Sequence, residues 1–132
     1  MIPVGSPERP IQDHVVDLFR DTFDYEYLGN WIDRPDNQNI EEAYLRTFLK
    51  EKGYKDSLIE RALHDLNRIA GDQSRSLYDI NKDVHGLLRY GVKDKEGAGE
   101  QTQTVWLIDW QHPERNHFAI AEEVTVQAAN AR

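Results

Sequence analysis

Cysteine is absent from this chain of 132 residues, which excludes disulfide frameworks, thiolate metal sites and cysteine nucleophiles together. Missing too is any apolar run near the roughly 20 residues a membrane-spanning helix needs, and the N-terminus has no basic stretch followed by an apolar one. Basic charge is scarce: 16 Lys+Arg stand against 24 Asp+Glu, a formal net charge of −8. The acids are spread over both halves of the chain rather than gathered in a tail. A whole-chain electrostatic footprint for nucleic acid is therefore lacking. What is present is 39% hydrophobic and 30% charged residues. That composition and length fit one soluble, cytoplasmic domain with a real core.

Hydrophobic spacing orders the chain into helices followed by strands. Ser6-Pro7-Glu8 is a helix-start signal, with a capping hydroxyl, a proline that gives up no needed N–H and an acid at the positive helix end. Ile11, Val15, Leu18, Phe19 and Thr22 follow helical spacing with Gln12, Asp13 and Asp17 outward, predicting a helix over about 9–23. A short strand is expected over 25–28, stopped by Gly29-Asn30, and then a loop of turn residues through 38. Asn39 is placed to cap a helix over about 40–52 that Gly53 ends. Ser57-Leu58-Ile59-Glu60 is a capping-box pattern opening a helix over about 57–70. Leu77, Ile80, Val84, Leu87 and Leu88 predict a fourth helix over about 75–87. From Arg89 the period changes to that of strands, over 90–93, 104–110 and 118–126. Gly97 and Gly99 lie in a hairpin connection, and a turn spans 112–116. The expected fold class is α+β, with N-terminal helices followed by an antiparallel β-meander.

Catalytic motifs are few. His14, His64, His85, His112 and His117 show no helical pairing and no H-E-x-x-H, so solvated or singly hydrogen-bonded histidines are the simpler reading. Gly97-Ala98-Gly99 lacks the Gly-Lys-Ser/Thr of a phosphate loop and precedes a strand rather than a helix. No G-x-S-x-G elbow occurs. Carboxylates remain. Glu122 and Glu123 are adjacent in a strand, so they face opposite ways and cannot share one site. One of them points with Phe118 and Val124, at a cost unless it is paired or at an edge. It is a salt-bridge or edge acid on one reading and a functional acid on the other, and Asp109 between Ile108 and Trp110 raises the same choice. Glu8 reads most simply as a macrodipole residue.

Several segments together resemble a known family. Pro10-Ile11-Gln12-Asp13, Val16-Asp17-Leu18-Phe19-Arg20-Asp21 and Tyr25-Glu26-Tyr27-Leu28-Gly29-Asn30-Trp31 resemble the start of the restriction (R) subunit of type I restriction-modification enzymes. The likeness continues through Asn39-Ile40-Glu41, Gly53-Tyr54, Leu58-Ile59 and Ala62-Leu63. It is strongest in Leu77-Tyr78-Asp79-Ile80-Asn81-Lys82, Leu87-Leu88-Arg89-Tyr90-Gly91-Val92, Leu107-Ile108-Asp109-Trp110 and Phe118-Ala119-Ile120-Ala121-Glu122-Glu123-Val124-Thr125-Val126.

The resemblance implies an ATP-driven DNA translocase that cuts unmodified double-stranded DNA through an N-terminal PD-(D/E)xK-type nuclease domain. That chemistry is Mg²⁺-assisted phosphodiester hydrolysis. The partners it implies are double-stranded DNA and the modification and specificity subunits, with no membrane. In the family, a strand like 118–126 precedes an Arg-Pro-Asp segment and a strand ending Glu-x-Lys, neither of which occurs before Arg132. Residues 1–132 are therefore expected to form an incomplete nuclease domain, without its catalytic strands or motor domains. No catalytic label passes to Glu122 or Glu123. Related nucleases place a supporting metal ligand on the first helix, for which Glu8 is the positional match. Mg²⁺ and ATP are expected for the parent enzyme and neither for the fragment, which is expected to be inactive and to self-associate through an exposed strand edge. The competing expectation is an independent acidic binding module, a DNA mimic or a regulator of a DNA-binding partner.

Overall fold

The computed structural model describes residues 8–125. The expected capping residues Ser6 and Pro7, and Val126 with residues 127–132, lie outside them. The chain divides into two compact units, one within Met1–Asn39 and His117–Ala131, the other within Ile40–Asn116.

The first unit pairs a helix with a small sheet. Helix α1 (Glu8–Asp17) runs into a single π-helical turn (Leu18–Thr22), followed by strand β1 (Glu26–Asn30). The expected face of α1 is rotated. Val16 is the buried residue, Ile11 is 65% exposed, and Gln12, expected outward, is turned in. Phe19 packs edge-on against Phe23 and Tyr25, and Tyr25 packs on Phe118 with ring centroids 5.2 Å apart. Strand β1 pairs in parallel with strand β4 (Ala119–Glu122), in the register Glu26↔Ala119, Tyr27↔Ile120, Gly29↔Ala121 and Asn30↔Glu122, with an irregularity between Tyr27 and Gly29. Backbone bonds from Glu26 N–H to Phe118 O (3.0 Å) and from Trp31 N–H to Glu122 O (2.8 Å) extend the ladder at both ends.

The second unit is the crossover between those strands. Helices α2 (Glu42–Glu51), α3 (Asp56–Ala70) and α4 (Leu77–Tyr90) precede the antiparallel hairpin β2 (Val92–Asp94) and β3 (Gln103–Val105), and a 3₁₀ turn spans Pro113–Arg115. Its core is Phe48 and Leu49 of α2, Leu58, Ile59, Ala62, Leu63 and Leu66 of α3, and Val92, Val105 and Leu107. Each fully buried Leu or Ile contributes about 1.5–3 kcal/mol, so α3 is the chief anchor of the unit.

Helices and strands are mixed, as the α+β reading expects, but the described strands form no antiparallel meander. They make one parallel pair and one separate hairpin. A parallel pair cannot be closed by a tight turn, and 40–116 supplies the long connection it requires. The expected strand 104–110 ends at Val105, because side chains satisfy the backbone beyond it. Asn116 Oδ1 accepts from Asp109 N–H (2.8 Å), and Asn116 Nδ2 donates to Asp109 O (2.9 Å). Of the expected strand 118–126, the described residues form strand over Ala119–Glu122, and Glu123 takes φ +54° and turns the chain away. Two caps also differ. Helix α2 starts at Glu42 with no capping side chain from Asn39, and α3 starts at Asp56, one residue before Ser57. Ser76 does cap α4, its Oγ accepting from Asp79 N–H at 3.1 Å.

Candidate functional site

In the first unit the polar chemistry converges on Glu122, at the C-terminal end of β4. Its side chain is only 6% exposed, and strand alternation aims it inward. Three donors meet it. Gln12 Nε2 donates to Oε1 at 2.9 Å, Arg9 Nη1 approaches the same oxygen at 3.3 Å, and Tyr27 OH donates to Oε2 at 2.5 Å. Arg9, Gln12 and the buried Val16 lie three and four residues apart, so one face of α1 presents both donors to the strand. The Tyr27 hydroxyl first, then Gln12, hold the Glu122 carboxyl below its ordinary range against the opposing effect of burial, with Arg9 assisting. The same bond raises the Tyr27 phenol. Glu122 is thus an ionised carboxylate with both oxygens engaged, a clamp joining α1, β1 and β4. Of the two adjacent glutamates Glu122 faces inward, buried and paired, while Glu123 is exposed.

In the second unit a cavity of about 320 Å³ opens between α2, the segment after β3 and the 3₁₀ turn, lined by Lys52, Tyr54, Trp106, Ile108, Asp109, Trp110, Gln111, His112 and Arg115. Asp109 is its buried acid. The Lys52 ammonium donates to it, His112 N–H donates to Oδ1 at 2.8 Å, and these two bonds hold its carboxyl below the usual range. Trp106, Ile108 and Trp110 alternate along the chain and line this one pocket, although no strand carries them.

A second acid pair, Asp65 of α3 and Asp94 of β2, lines another opening together with Glu60, Arg61 and His64. Burial, then Asp94, raises the Asp65 carboxyl, and Arg68 opposes.

The remaining expected residues sit apart from these centres. Glu8 is exposed at the first residue of α1, where the neighbouring Arg9 reaches Glu122. All five histidines are exposed, and His117 is bonded to Glu26. Among the described residues no three His, Asp or Glu side chains converge as a metal site. Missed by sequence reasoning were Gln12, Arg9 and Tyr27 as partners of Glu122, and Lys52 and Tyr54 as pocket residues. Only the inward acid itself signalled that donors had to exist.

The profile of the family described as type I restriction enzyme R protein N terminus (HSDR_N) matches residues 6–132. The chain belongs to this family. The match includes every element of both units, so the Glu122 clamp and the Asp109 pocket are both features of an R-protein N terminus. No curated protein and no solved structure matches the chain. No helix among the described residues is long and apolar enough to cross a membrane.

Proposed function

We propose that this chain is the helical flank and first sheet strands of the DNA-cleaving domain of a type I restriction R subunit. That domain is of the PD-(D/E)xK type, in a subunit that cuts unmodified double-stranded DNA and translocates it with ATP. The observation that carries the reading is the family match over 6–132, within which a buried, ionised Glu122 ties α1 to the end of a parallel strand. Its role is to position: the clamp fixes the helix–strand angle on which a neighbouring carboxylate site depends.

Mg²⁺, when bound, supplies Lewis-acid polarisation and an activated water in such a domain. The described residues do not fit it by themselves. Both Glu122 oxygens are engaged, and Glu8 belongs to no converging group of ligands among the described residues. Mg²⁺ and ATP are then requirements of the complete subunit, which works with the modification and specificity subunits. The acidic-module reading gains nothing from the structure. Many acids are spent on intramolecular pairs, Arg46 with Glu42 and Glu60, Arg75 with Asp83, and Arg20 with Asp17 and Asp21.

The test is plasmid DNA incubated with the purified chain and Mg²⁺. The expected result is intact supercoiled DNA. Metal-dependent nicking by this chain alone, sensitive to Glu8→Gln, would place the cleavage site within it and overturn the proposed division of labour.

A further inference from the structure

The pocket of the second unit plays no part in the Glu122 clamp, and its walls are unlike those of an ordinary surface cleft. Trp106 is 41% exposed and Trp110 54% exposed, so two indoles offer apolar surface to solvent at one opening. Both are held in place. Trp110 is held by its indole, Nε1 donating to Leu88 O at 2.9 Å, and Trp106 by its backbone, whose N–H donates to Tyr54 OH at 3.0 Å. Flat aromatic surface that is ordered before any ligand arrives costs little further entropy on binding.

The charged side chains of the lining are Lys52, Asp109 and Arg115, and Glu114 stands 3.7 Å from the lining His112. Lys52 is neutralised by Asp109. Two other cations are not cancelled. Arg115 lines the pocket and makes no ion pair among the described residues. Lys93, beside the lining rather than in it, sits 5.7 Å from the Trp106 ring centroid, donates to the neutral oxygens Tyr90 O (3.2 Å) and Thr104 Oγ1 (2.8 Å), and makes no ion pair among the described residues. A ligand matching these walls has a flat aromatic part and an anionic part. The volume, near the lower end of the roughly 300–1,000 Å³ of small-molecule sites, admits one such unit.

We infer that this pocket takes up an unpaired nucleotide of a DNA strand, its base against the Trp106 and Trp110 indoles and its phosphate toward Arg115 and Lys93. Base–aromatic stacking needs an exposed base face, which a stacked duplex does not provide, and tolerates any sequence. The inference rests on the reading above that the chain works on DNA. With only two uncancelled cations, binding falls with salt along a shallow log–log slope of about −0.7 per phosphate contacted.

The experiment titrates fluorescein-labelled oligothymidine with the 132-residue chain, reading anisotropy and tryptophan quenching, with duplex DNA of the same length and dTMP as competitors. Oligothymidine is expected to bind with quenching, and both competitors to act at least about tenfold more weakly. Trp106→Ala is expected to weaken binding by about tenfold or more. Arg115→Gln, at an exposed position with no ion pair among the described residues, is expected to keep the fold by circular dichroism, to weaken binding severalfold and to flatten the salt slope. Absence of binding, equal binding of duplex, or variants that bind like the parent would overturn the assignment. Competition by dTMP as strong as by the strand would give the pocket to a free nucleotide and overturn the strand assignment. A failed titration alongside a complete subunit that still cuts DNA removes this inference alone.

Discussion

Glu122 and Asp109 share a condition that sets how the molecule responds to acid. Each carboxyl is held below its ordinary range by donors that exist only in the fold: Tyr27 and Gln12 for Glu122, Lys52 and the His112 backbone for Asp109. In the unfolded chain both regain ordinary values and bind protons more readily, so their contribution is complete above the ordinary carboxylate range. It is lost as pH falls through the depressed folded values. Thermal melts from neutral pH downward should therefore show a falling Tm in acid. Tyr27→Phe, which removes the principal cause of the Glu122 shift, should lower Tm at neutral pH and make that fall shallower, and an unchanged acid limb would contradict the clamp. Asp65 has the opposite sign, its carboxyl being raised by burial and Asp94. Its charge opposes folding at neutral pH and its proton supports folding in acid, so Asp94→Asn should raise Tm at pH 7, with the gain shrinking as the pH is lowered. The inward acid was readable from strand alternation. Its donors were not, because Gln12 and Arg9 read as surface residues until the strand they serve is placed beside α1.

Among the elements, the junction between α4 and β2 is the least tolerant of change. Gly91 has φ +81° and ψ 169°, a region essentially reserved for glycine, and a Cβ there would stand 2.5 Å from Thr104 Cγ2 and 3.1 Å from Val105 O. Gly91→Ala should cost about 2–3 kcal/mol by denaturant unfolding, through strain and through displacement of β3. At the other end of α4, Ser76→Ala should cost about 1 kcal/mol, because Asp79 N–H loses its acceptor. A loss at position 91 no larger than that at position 76 would contradict the tight approach of β2 and β3. Helices α2, α3 and α4 were legible because their information is local: apolar residues at helical spacing, with Gly53 and Gly71 closing α2 and α3. The pairing of β1 with β4 was not, since no local signal joins strands separated by 40–116, and neighbours in sequence favour a meander. The segment 106–110 carried β-formers, yet the Asn116 side chain takes the backbone groups a ladder would have used.

At the scale of the molecule, two compact units share one chain, each with its own polar centre: the Glu122 clamp in one, the Asp109 pocket in the other. A net charge of −8, its acids distributed along the whole chain, leaves DNA contact to local features rather than to a global field. Residues 6–132 match the R-protein N terminus, and the proposed role is to brace a nuclease site rather than to hold the motor. Cleavage and ATP hydrolysis should then separate. The decisive measurement compares an R subunit carrying this chain with its Glu122→Gln variant, each assembled with the modification and specificity subunits, for cutting of unmodified plasmid and for DNA-stimulated ATP hydrolysis. Loss of the clamp should slow cutting about tenfold or more, as expected when a supporting shell is loosened, and leave ATP hydrolysis unchanged. Undiminished cutting, or an equal loss of both activities, would contradict a nuclease-bracing role for this chain.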